Sequence, residues 1–78
     1  MRAPESLRKA VDHLERGDWD AAHRIVQSDD SVHGCWLHGI VHVMEGDLAN
    51  ARYWYARAGR AFFGDAASEI VAARKLMS

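Results

Sequence analysis

The chain has 78 residues, 49% hydrophobic and 27% charged, enough apolar content to fold but only enough length for one small core. Ten basic and eleven acidic side chains leave a formal charge of −1, without the basic excess on which nucleic-acid binding depends, and no run approaches the roughly 18 apolar residues of a membrane span. Cys35 is the single cysteine, so no internal disulfide forms, and a lone thiol without an apolar leader points to a reducing, cytoplasmic setting.

Pro4 suits a helix start, and Leu7, Ala10, Val11 and Leu14 follow it at the i, i+3, i+4, i+7 spacing of an amphipathic helix. Gly17 ends that helix. Asp18 caps a second one, in which Trp19, Ala22 and Val26 share a face and Ile25 flanks it. The polar run SDDS at 28–31 makes the turn into a third helix, about 31–45. At about 100° per residue, Val32, Trp36, Leu37, Ile40, Val41, Val43 and Met44 fill one half of its circumference. Cys35, His38, His42 and Glu45 occupy the other half, with Gly39 at the margin.

Gly46-Asp47 repeats the stop-and-cap signal, and Leu48, Ala51, Tyr55, Ala58 and then Phe62 give the buried face of a fourth helix. Gly59 and Gly64 bracket its end. Asp65 caps a last helix with Ala66, Ile70, Ala73 and Met77 on one side, followed by a short tail. No stretch alternates with period two, so the predicted fold is all-α. It has about five short antiparallel helices: hairpin one at about 5–27, hairpin two at about 31–60 stacked on it, and a capping helix at about 65–77.

Gly17 and Gly46 stand 29 positions apart, and superposing them aligns Trp19 with Leu48, Ala22 with Ala51 and Val26 with Tyr55. A duplicated turn with matched core positions is the mark of stacked helical hairpins, each covering the apolar face that its neighbour cannot. Residues 35–58, with Gly39, Gly46-Asp47, Leu48, Ala51, Tyr55 and Ala58, resemble the tetratricopeptide repeat and its Sel-type relatives. The offset is shorter than that family's usual repeat of about 34. The first unit, 6–29, resembles the family more loosely, Asp29 standing where a small core residue is usual. GDLANARYWYARAGR also resembles a stretch in small bacterial proteins, a likeness that brings no activity with it. The resemblance implies a non-catalytic module for protein–protein interaction or self-association. It also turns His38 and His42 toward the fourth helix, whereas the helical wheel sets them opposite the apolar arc. Both placements hold if the third helix is central and buried on two sides.

His38 and His42, at i and i+4, have the spacing with which a helix chelates zinc. Cys35 lies about 10 Å from His42 along the axis at 1.5 Å per residue, so the feasible site is the two imidazoles with one ligand from outside the helix. Their other possible role is neutral packing between helices. His13 aligns with His42, while His23 and His33 are expected near helix ends, partly solvated. Gly39 follows the first histidine where the metalloprotease pattern needs glutamate, and no nucleophile–base set can be read in the linear order. Asn50, Tyr53, Arg57 and Arg60 form a second stripe of residue types favoured at interfaces, suited to a partner protein or a second copy in a homodimer. No cofactor other than zinc is suggested.

Overall fold

In the computed structural model residues 4–77 are described; the tail residue Ser78 lies outside them. Five helices follow one another: α1 (Glu5–Glu15), α2 (Trp19–Val26), α3 (Val32–Glu45), α4 (Leu48–Ala58) and α5 (Ala66–Met77). The described residues are all-helical apart from turns and the connection at 59–65. None of these helices is long and apolar enough to cross a membrane.

The two Gly-Asp turns are built alike. Gly17 and Gly46 take φ of 79° and 92°, a left-handed conformation that side chains resist and glycine does not. In each turn the following aspartate N–H reaches back to a histidine carbonyl five residues earlier, Asp18 to His13 and Asp47 to His42, both at 2.9 Å. Each aspartate carboxylate then accepts the N–H three residues on, Ala21 at 3.2 Å and Asn50 at 3.2 Å, satisfying orphan donors of the next helix. Ser31 caps α3 in the same way through Gly34 N–H at 3.0 Å.

These turns fold α1 back on α2 and α3 back on α4, and α2 and α1 both lie against α3. From Gly34 to His42 every residue of α3 is buried, so α3 is central and covered all round rather than on one side. Its shell is the apolar cluster of Leu7, Val11, Leu14, Val26, Tyr55 and Met77 around Trp36, Leu37, Ile40 and Val41. The chain's last helix does not extend the stack beyond α4. It returns across α1 and α3, where Trp36 Nε1 donates to Glu69 Oε1 at 3.1 Å.

Two expected core positions are corrected. Leu48 is 48% exposed and Val32 58% exposed, although Ala51 and Tyr55 beside Leu48 are buried as expected. Both open their helices at a turn. Leu48 opens α4 just after the last turn of α3, where Met44 is half-buried and Glu45 exposed, and α4 neighbours no helix but α3. Apolar periodicity marks a face but does not say how far along it the partner helix reaches.

At the other side Arg74 of α5 grips two carboxylates of α1. Its guanidinium donates to Asp12 and to both oxygens of Glu15, at 3.0 and 2.7 Å for the latter. Hydrogen bonding from Arg74 holds both acids below their ordinary values of 3.8 and 4.5. A depressed folded value means stability present above the unfolded value and lost as pH falls through the folded one. The stability advantage of the chain over Arg74→Gln should therefore be constant above pH 4.5 and shrink below it, read from acid-unfolding curves followed by circular dichroism.

Candidate functional site: a histidine cluster and the outer face of α4

The Ser31 cap fixes where α3 begins, and hence places His38 and His42 one turn apart on the flank left open between α2 and α4. Those two helices both pack on α3 but not on each other. His38 is 5% exposed and His42 7%, and their rings stack at 5.0 Å and 24°. From α2, half-buried His23 meets His38 edge-on at 4.8 Å and His42 at 5.6 Å. From α4, Trp54 lies flat on His38, with centroids 3.9 Å apart and planes within 10°. One ring nitrogen from each of His23, His38 and His42 lies within 4.8 Å of the others.

The electrostatics differ among the three rings. His42 Nδ1 is 2.7 Å from Glu45 Oε1, and an ionised carboxylate only accepts, which puts a proton on Nδ1 and, in the neutral ring, leaves the lone pair on Nε2. His38 Nδ1 is shut away from water without a hydrogen-bond partner. Burial, then the neighbouring His42, His23 and Arg57, lower the His38 pKa to about 4, so this imidazole is neutral at physiological pH.

Of the residues expected at a site, the structure brings His38 and His42 together and supplies an outside partner in His23. Spacing alone places His23 near the end of α2, without a link to α3. Cys35 stays apart: its buried thiol donates to the Asp30 carbonyl at 3.8 Å. His13, aligned with His42 in the duplicated turn, approaches Asp18 at 3.7 Å instead of a second histidine. His42, Glu45 and Asp47 make a further group of close donor atoms, with both carboxylates exposed.

The second stripe divides. Asn50, Tyr53 and Arg57 share the outward face of α4: Tyr53 is 54% exposed with its ring edge-on to Trp54 at 5.1 Å, and the Arg57 guanidinium lies 5.0 Å over Trp54 and 5.9 Å over Tyr53. Asn50 bonds back to Asp47 at 3.3 Å. Arg60 follows the helix and turns away, its guanidinium 3.6 Å over the Trp36 ring. No family model matches the chain, nor does any curated protein or solved structure.

Proposed function

We propose that the chain is a non-catalytic helical module of tetratricopeptide type that binds protein through the outward face of α4. The observation that supports this most is that α4 neighbours α3 alone, which leaves Tyr53 and Arg57 ordered against each other yet open to solvent. An aromatic ring already held by a guanidinium loses little rotamer freedom when a partner docks, which is how interface anchors gain affinity.

Charge narrows the partner. Residues 48–64 carry three arginines and no carboxylate, so the complementary surface is acidic. The chain's own α1–α2 hairpin has that character, with seven acidic and four basic residues over 4–31. Reciprocal contact of α4 with the α1–α2 hairpin of a second copy closes a two-fold homodimer. Light scattering after gel filtration across concentration and salt tests this. Expected is a dimer that weakens with salt, and that loses about 2 kcal/mol or more of association in the Tyr53→Ala, Arg57→Glu double variant, a hot-spot-sized loss. A chain that stays monomeric and ignores acidic peptides at every concentration removes the reading.

A further inference from the structure

We propose that His23, His38 and His42 form a binding site for a divalent first-row transition-metal ion, with Glu45 as the carboxylate that holds His42 in its ligating tautomer. This does not rest on the protein-binding reading and survives its failure.

The donor set selects the class of ion. Three imidazoles suit zinc, nickel, cobalt or copper(II), whereas calcium and magnesium need oxygen ligands. Cys35, whose thiol faces the Asp30 carbonyl, takes no part, so a thiolate-seeking ion is not favoured. His38 and His42 chelate from one helix, and His23 comes from a second, so the ion staples α2 to α3. Zinc–nitrogen bonds of about 2.0–2.1 Å in tetrahedral array set the nitrogens roughly 3.3 Å apart. The three donor atoms already lie within 4.8 Å of one another, and His23, the half-buried ring, has the freedom to close the remainder by a side-chain rotation.

Two observations point to a ligand rather than to packing alone. The first is His38 Nδ1, buried without a partner; native proteins satisfy such atoms because leaving one bare is costly. The second is the Glu45–His42 bond of 2.7 Å, the carboxylate–histidine arrangement that orients and strengthens metal-bound imidazoles. Trp54 stacked on His38 fixes the plane of that ring. Arg57 of α4, its guanidinium 5.0 Å from the Trp54 ring that stacks on His38, brings a cation near the cluster; its charge opposes the ion and limits affinity. Three protein ligands leave the fourth position to water.

The test uses tag-free protein, chelated and then titrated with Zn2+ and Co2+. Expected are one ion per chain, tetrahedral d–d bands from Co2+, and a melting temperature raised by Zn2+ and restored by chelator. His23→Gln, whose helix content is checked first, should weaken binding about 100-fold or more, and Glu45→Gln by about 10- to 100-fold. Arg57→Gln should bind several-fold tighter, an effect that a purely structural cluster does not produce. His33→Ala and Asp47→Asn should bind as the parent does. The proposal is overturned if the chelated chain takes up no ion, if His23→Gln binds as tightly as the parent, or if Asp47→Asn abolishes binding. The last result assigns the ion to the exposed His42, Glu45 and Asp47 group instead.

Discussion

Trp36→Ala is expected to remove most of the stability of the fold, leaving a chain that melts far below the parent. Trp36 is fully buried at the middle of α3, and three separate elements meet on it. Its indole N–H donates to Glu69 of α5, its ring carries Arg60 from the segment after α4, and its own helix supplies the rest of the core. Truncating a buried aromatic to alanine costs about 3–5 kcal/mol. A whole domain holds only about 5–15 kcal/mol, and one this small stands toward the low end.

Trp36→Phe separates the contributions. It keeps most of the apolar volume but removes the N–H, leaving the half-buried Glu69 carboxylate without that donor, and should cost about 1–2 kcal/mol. Urea unfolding followed by far-ultraviolet circular dichroism measures both. If Trp36→Ala unfolds within 1 kcal/mol of the parent, α5 is not held to the core through this residue.

Trp36 also shows where local signals end. Its place on the apolar arc of α3 follows from spacing alone, as do both Gly-Asp turns, the Asp and Ser caps and the buried stripe of α1. Such features depend on a few consecutive residues, and sequence displays them directly. The Glu69 and Arg60 contacts depend on α5 returning across α1 and α3, a choice made by the whole chain. Arg60 shares residue type and spacing with Arg57, yet Gly59, at φ 69°, reverses the backbone between them and sends the two guanidiniums to different tryptophans.

His23 was readable in part. At about 100° per residue it falls about 40° from Trp19 and 60° from Val26 on α2, at the border of the buried arc and not out in solvent. What spacing could not supply is the rotation of α2 about its own axis against α3, which decides whether that border faces the His38–His42 pair. The burial of that pair was anticipated only by combining two conflicting placements. Continuous burial of α3 from Gly34 to His42 reconciles them, since a helix enclosed all round has no outer half for its histidines to occupy.

Gly39 governs how close α4 comes, and Gly39→Val should be the second most damaging change. A Cβ built at Gly39 meets the Tyr55 ring, 2.7 Å from its Cε1, and lies 3.3 Å from the Ala51 carbonyl oxygen. Neither can retreat cheaply: the oxygen is helix backbone, and the Tyr55 ring is 1% exposed with Phe62 edge-on at 5.2 Å. Burial, with Glu69 beside it, keeps the Tyr55 phenol far above its ordinary pKa, so it stays neutral in place. Alanine at this helical position gains about 1 kcal/mol of intrinsic propensity over glycine, while overpacking a tight core costs about 1–3 kcal/mol. Gly39→Ala should therefore destabilise despite being the better helix former, and Gly39→Val, with two further methyls and a stiff χ1, should cost about 3 kcal/mol. Because the same separation sets the Trp54 ring on His38 at 3.9 Å, Gly39→Ala should also weaken Zn2+ uptake, although it touches none of the three ligands. Pairing it with Tyr55→Leu should recover part of both losses, with a coupling of about 0.5–3 kcal/mol in a double-mutant cycle. A Gly39→Ala chain that melts above the parent would show that α3 and α4 stand farther apart than this contact requires.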